Sequence, residues 1–190
     1  MPSNDYHFVT IWHVPATREE ISEIVGDAGG LARWWPSVYL DVAVVEPGGS
    51  DGVGRVVSLY TKGWLPYTLH WRFTVTAADP PAGFSLEARG DFVGRGIWSF
   101  EVERPLKDPA GPLTSVTYDW LVLAEKGLLK HLSLVMKPVF AANHRWAMAR
   151  GEDSLLLELA RRRATDPVVR AAIRRPPGPT FPHNLRRRAR

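Results

Sequence analysis

Few side chains in this 190-residue chain are placed to do chemistry, and those few cluster near one stretch, Asn143 to Glu152 (NHRWAMARGE). Asn143 and Arg150 fall by helical count in the apolar stripe of a long helix, two turns apart, where a solvated face would not put them. If buried, each needs a partner. Asn143 can either reach into a cavity and hydrogen-bond a ligand carbonyl or hydroxyl, or tie the helix to a strand backbone. Arg150 has Asp153, Asp119 and Asp91 as candidate partners. His144 and His131 are the histidines nearest the same helix, and imidazole is the side chain that moves protons near neutral pH. Their competing reading is a surface or capping role, since His144 falls at the edge of the polar face and His131 in the first turn. His7, His13 and His70 alternate with inward residues and should face outward, at a spacing that matches no metal site; no metal and no cofactor are expected.

Aromatic residues supply the rest. Leu69, Trp71, Phe73 and Val75 share one strand face, Trp98, Phe100 and Val102 another, and Val116, Tyr118, Trp120 and Val122 a third. Bulky rings repeated on neighbouring strands either fill a core or line an apolar pocket. The candidate lining is Trp34, Trp35, Tyr60, Trp71, Trp98, Phe100 and Trp120, joined by Met136, Val139, Phe140 and Asn143 of the helix.

The elements that must position these residues are legible from period and punctuation. Tyr6 to Val14 alternates as a first strand and Pro15 ends it. Thr17, with Glu19 and Glu20 behind it, can cap a short helix carrying Ile21, Ile24 and Val25, and Leu31 to Trp35 can add one more turn before Pro36. Strands follow at about Val38–Glu46, Arg55–Lys62, Tyr67–Ala77 and Gly83–Gly90, with turns at 47–54, 79–81, 90–96 and 104–112. No helical period interrupts them, which argues for antiparallel pairing and against a doubly wound sheet. A long helix runs from near Leu128 to near Arg163, with Leu132, Val135, Val139, Trp146 and Leu157 on its apolar face. Pro138 should kink or break it near 134–137.

Composition bounds the remainder. Apolar and charged fractions of 45% and 23% are those of a globular protein. The chain has no cysteine, so disulfides, thiolate nucleophiles and Cys-based zinc sites are excluded. No leader-like N-terminus or membrane-length apolar run is present, and cytoplasmic residence is expected. The net charge of +4 is uneven: seven arginines against Asp166 make residues 166–190 strongly basic, while residues 1–165 hold 17 basic and 19 acidic side chains. The expected organisation is therefore a ligand-binding domain over 1–165 and a flexible Pro/Arg-rich tail over 166–190. Such a tail can attach to nucleic acid or an anionic membrane, although solubility alone accounts for it. The glycines at 48, 49, 52 and 54 do not make a nucleotide loop, because no helix follows Gly54 to bind phosphate.

A strand, a short helix pair, an antiparallel meander and one long C-terminal helix are the element order of the helix-grip fold. Residues 6–163 resemble the START-like or SRPBCC superfamily, and Trp34-Trp35-Pro36, GDFVGRGIWSF (90–100), VTYDW (116–120) and NHRWAMARGE (143–152) resemble its polyketide cyclase/dehydrase-type branch. The resemblance implies an α+β fold in which a curved antiparallel sheet of about seven strands wraps the long helix. It also implies a cavity between sheet and helix for a polyketide-, lipid- or sterol-like molecule. In an enzyme of that kind Asn143, Tyr118 and His144 would polarise a carbonyl or relay a proton; in a carrier the cavity remains without the chemistry. The scaffold does not by itself transfer a reaction. A third reading makes the body a filled scaffold and the arginine tail the active part, and the oligomeric state is left open.

Overall fold

The computed structural model describes residues 5–123 and 127–181, with side chains over 6–123 and 137–181. Seven strands, β1 (Asp5–Val14), β2 (Tyr39–Glu46), β3 (Val56–Lys62), β4 (Thr68–Asp79), β5 (Gly83–Gly90), β6 (Val93–Arg104) and β7 (Leu113–Leu123), form one sheet. Its order is β1-β7-β6-β5-β4-β3-β2, and every pairing is antiparallel. Between β1 and β2 lie helix α1 (Arg18–Val25), a 3-10 turn (Ala28–Gly30) and the single turn α2 (Leu31–Trp34). The long helix α3 (Gly127–Arg163) and the short α4 (Pro167–Ala172) complete the chain.

Local sequence explains the ends of these elements. Thr17 Oγ1 accepts the Glu20 amide and Glu20 returns a carboxylate to the Thr17 amide, a capping box that starts α1. The same carboxylate accepts two bonds from Arg163 at 2.7 Å, which joins the last turn of α3 to the first of α1 and holds the Glu20 carboxyl below its ordinary range. On the inner sheet face the alternation holds: Trp12, Phe73, Trp98, Val116, Tyr118 and Trp120 are buried, whereas His7, His13, His70 and Arg72 are exposed. The outward histidines find acids or rings: His7 binds Asp119 at 2.9 Å, His13 binds Glu103 at 2.8 Å, and His70 stacks on Tyr60.

Of the kink or break expected at Pro138, helix α3 shows no break: it runs as one helix across the proline. A proline removes one rung of the backbone ladder, and the turns after it are packed on β1, with Phe140 edge-on to Tyr6 and His144 stacked on Phe8. The buried stripe is also rotated from the expected one: Met148, Gly151, Ser154, Leu155, Glu158 and Leu159 face inward, while Trp146 and Leu157 are only part-buried. Three of these inward positions are small or charged, so hydropathy could not mark the true face. Gly151 is small for a reason: a Cβ there would stand 2.4 Å from the Trp35 ring. Glu158, 3% exposed, is held by Arg33 at 2.8 Å and Arg162 at 3.1 Å.

Residues 173–181 touch the body, whereas α4 has no buried residue. Asp166 caps α4 by accepting the Val168 amide at 2.7 Å, and Arg161 donates to the Arg174 carbonyl. Thr180 Oγ1 reaches the carbonyls of Gly63 and Trp64 at 3.3 and 3.2 Å. Lys62, only 3% exposed, donates to the Thr180 carbonyl with its ammonium over the Phe181 ring, and burial draws its pKa down.

Candidate functional site

The concave sheet face is not filled. A cavity of about 230 Å³ lies between the sheet and α3, walled by β1, β7 and the helix residues Phe140, Asn143, His144, Ala147 and Met148. A second, of about 610 Å³, lies between the sheet and the α1–α2 segment and reaches the β2–β3 loop at Arg55. Arg55 fixes that loop by donating to the carbonyls of Gly26 and Pro47 at 3.0 and 3.2 Å. Trp35, Tyr39, Trp71, Trp98 and Tyr118 line both hollows and so form the partition between them.

These rings support one another. Trp98 and Tyr118 stack at 4.2 Å, Tyr118 and Trp120 at 5.5 Å, and Tyr39 meets Trp35 edge-on at 5.2 Å. Offset and edge-on pairs of this kind are worth about 0.5–1.5 kcal/mol beyond their buried area, so the partition is a stiff wall. The Trp71 indole is satisfied by Thr61 Oγ1 at 2.9 Å.

The polar groups of the helix fall into place around this wall. Asn143 does tie α3 to the sheet side: its Oδ1 accepts the Trp64 amide at 2.9 Å and the Leu65 amide at 3.5 Å, in the loop after β3. Those bonds use the oxygen alone, and Asn143 also lines the sheet–helix cavity. Gly63 makes the approach possible, since a Cβ there would lie 2.0 Å from Oδ1. His144 lines the same cavity, stacked on Phe8 at 4.4 Å and hydrogen-bonded to Thr10 Oγ1 at 3.2 Å. Burial, assisted by the neighbouring Arg145 charge, lowers its pKa to about 4, so the imidazole is neutral at neutral pH. Tyr118 is pushed the other way: burial, and the nearby Tyr39 phenol, hold its pKa well above the ordinary value. Tyr39 is likewise raised by burial.

Of the residues singled out in the sequence, Trp35, Trp71, Trp98, Tyr118, Trp120, Phe140, Asn143 and His144 meet the sheet–helix cavity, and Trp34 meets the larger one. Others do not. Tyr60 has the opposite strand parity from the buried Leu59 and Thr61 and stacks on His70 outside the hollow. Phe100 shares a face with Trp98 but lies sealed in the core, 2% exposed. Val139 lines neither cavity. Arg150 is not buried; it reaches Asp153 at 3.3 Å, with its side chain 42% exposed. The side chains of Met136 and His131 lie outside the described residues. Tyr39, Tyr6, Phe8 and Phe92 were missed. The first three sit in strands whose alternation was readable, but Phe92 comes from a hairpin turn, which has no period to read. Among the described residues no group of three or more His, Asp or Glu could hold a metal ion, and no helix is long and apolar enough to cross a membrane.

No protein-family model and no curated protein match the chain. Solved structures do. Zhui aromatase/cyclase from Streptomyces sp. R1128 superposes with a TM-score of 0.64 at 16% identity, over 85% of this chain and 97% of that one. The di-domain aromatase/cyclase BexL of the BE-7585A biosynthetic pathway gives 0.52 at 15% identity, over 81% of this chain and 51% of that one. Norcoclaurine synthase from Thalictrum flavum, in complex with dopamine and hydroxybenzaldehyde, gives 0.53 at 12% identity, over 85% and 90%. Identities this low speak for architecture. A seven-strand curved sheet closed on a long C-terminal helix, matching these structures over most of its length, gives this chain the helix-grip fold.

Proposed function

We propose that the protein binds a hydrophobic, polycyclic small molecule in the hollow between sheet and long helix. The observation that carries this reading is the aromatic wall shared by two adjoining cavities, about 230 and 610 Å³, a combined space on the scale of a small-molecule site. Rings stacked on one another at its edge offer flat apolar area, which suits a flat guest. Helix-grip structures that are aromatase/cyclases or hold two small aromatic molecules lend support at the level of architecture.

Polyketide cyclase/dehydratase-type turnover is the narrower version. Asn143, Tyr118 and His144 border one cavity, as that chemistry would need. Two of them, Tyr118 and His144, are held neutral at neutral pH, however. Neutral donors orient and polarise a carbonyl well but shuttle protons poorly, which favours a binding or carrier role over proton-transfer catalysis. The test is native mass spectrometry of freshly purified protein followed by titration with three- and four-ring arenes, read by tryptophan fluorescence. A co-purifying apolar molecule, or saturable quenching with a rise in Tm, is expected. An empty protein that no arene stabilises would overturn the reading and leave the C-terminal arginines as the part to examine.

A further inference from the structure

The partition between the two cavities contains two phenols, Tyr39 at the start of β2 and Tyr118 in the middle of β7. β2 is one edge strand and β7 lies next to the other edge, yet both phenols border the same hollow because the sheet curls. Neither hydroxyl has a hydrogen-bond partner among the described residues, and neither belongs with the sealed polar atoms, a set that includes the Tyr6 hydroxyl and the Trp34 and Trp35 indole nitrogens. Both therefore open onto the hollow. A hydroxyl left without a protein partner in an apolar cavity carries a desolvation cost that a ligand acceptor would remove.

The two rings are held firmly. Tyr118 is clamped between Trp98 and Trp120, and Tyr39 abuts Trp35 while its amide bonds the Trp35 carbonyl at 3.1 Å. Gly96, paired with Trp120 on the neighbouring strand, leaves space for the Tyr118 phenol, whose oxygen lies 3.0 Å from where a Cβ at Gly96 would sit. Rigid, preoriented donors lose little entropy when they bind an acceptor.

We infer that Tyr39 and Tyr118 form a two-donor clamp for a carbonyl oxygen, so that the preferred guest is a flat arene bearing a ketone or quinone rather than a plain hydrocarbon. This rests on the ligand-binding reading above and adds Tyr39 as a specificity-determining residue. Burial raises the pKa of both phenols, and for Tyr118 the nearby Tyr39 adds to it, so both stay protonated donors at neutral pH. Each donor opens a bond to one lone pair of the oxygen, and no covalent step is involved.

The matched probes are 9-fluorenone and fluorene, which differ only in the carbonyl. The intact protein should bind the ketone about tenfold more tightly than the hydrocarbon, with the carbonyl stretch of bound fluorenone shifted to lower wavenumber. Tyr39→Phe and Tyr118→Phe each keep the ring stack. Each should reduce the ketone preference by roughly threefold and diminish the infrared shift, with fluorene bound at least as tightly because no hydroxyl is left to desolvate. Unchanged ketone preference in both variants, with fluorene still bound, would overturn the clamp and spare the ligand-binding reading. Failure of both arenes to bind the intact protein would overturn both.

Discussion

Beyond Gly151 the long helix rests on solid structure, whereas the turns before it span a hollow. In the later half, Gly151 meets the Trp35 ring, Leu155 is fully buried and the Glu158 carboxylate is gripped by Arg33 and Arg162. Over residues 137–148 the helix reaches the rest of the protein through contacts that include Lys137 over the Tyr6 ring, Phe140, Asn143 and His144, with the sheet–helix cavity between them. Polar residues thus do two kinds of work on one helix. At the filled end the Glu158 carboxylate is fully used and the idle helix hydroxyl, Ser154 Oγ, is sealed away from any guest, whereas at the hollow end the idle polar atoms border open space. The difference teaches where to look for function: among polar groups that are buried yet incompletely used, as at Asn143 and the phenols opposite it.

The comparison breaks most visibly at Glu158. Glu158→Ala removes the acceptor of two guanidinium groups inside the filled end, leaving a gap beside Leu155 and Leu159. Because Arg33 and Arg162 are themselves part-exposed, the loss should be about 2–3 kcal/mol, short of the figure for a sealed pair. In thermal denaturation this is a fall in Tm of roughly 5–10 °C. Arene binding measured well below the new Tm should be unchanged. A variant as stable as the parent, or one that loses arene affinity while still folded, would erase the division between the two ends.

A second test sharpens the comparison from the hollow side. His144 has a folded pKa of about 4 against an ordinary value near 6.5, so the unfolded chain takes up the proton first as pH falls. Its contribution is complete above about pH 6.5 and is lost as pH drops through about 4. His144→Phe can keep the stack on Phe8 and abolishes the titration. The stability difference between parent and variant should therefore shift against the parent by about 2 kcal/mol between pH 7 and pH 4, after allowance for solvent reaching the ring. Urea denaturation across this window measures it, and parallel curves would mean that His144 is not held neutral by the cavity wall.

The two ends of the helix also differ in how readable they were. Strand period placed Trp71, Trp98, Tyr118 and Trp120 on the inner face without any structure, because one buried sheet face enforces alternation. The helix face was misread because Gly151, Ser154 and Glu158 point inward for reasons that hydropathy cannot express: room for an indole, and a carboxylate with two cationic partners. Tyr60 turns outward because strand parity, not residue type, sets the direction of a side chain, and Phe100 is sealed because a shared inward face does not distinguish a closed position from an open one. The larger cavity was invisible, since it arises from sheet curvature and a loop fixed by bonds from Arg55 to carbonyl oxygens. The same holds for residues 173–181, tied down through the carbonyls of Arg174 and Thr180, which leave no pattern in the side chains.

The smallest expected effect divides the two roles of Asn143. Its Oδ1 accepts the Trp64 amide, and an acceptor is all that this bond requires. Asn143→Leu removes the acceptor and strands that amide and its neighbour at Leu65, at a cost of about 1 kcal/mol, concentrated in the loop after β3. Faster hydrogen exchange at Trp64 should report it more clearly than Tm does. Asn143→Asp keeps an oxygen in place and loses only the amide donor, so exchange at Trp64 should stay slow. The ligand then decides between the roles. If Nδ2 contributes to holding a guest, Asn143→Asp weakens fluorenone several-fold while the loop remains protected, because a carboxylate beside a carbonyl repels where an amide N–H attracts. If fluorenone affinity follows loop protection across both variants, Asn143 belongs with Glu158 as a structural tie, and the boundary between the filled and hollow ends moves about two turns toward Phe140.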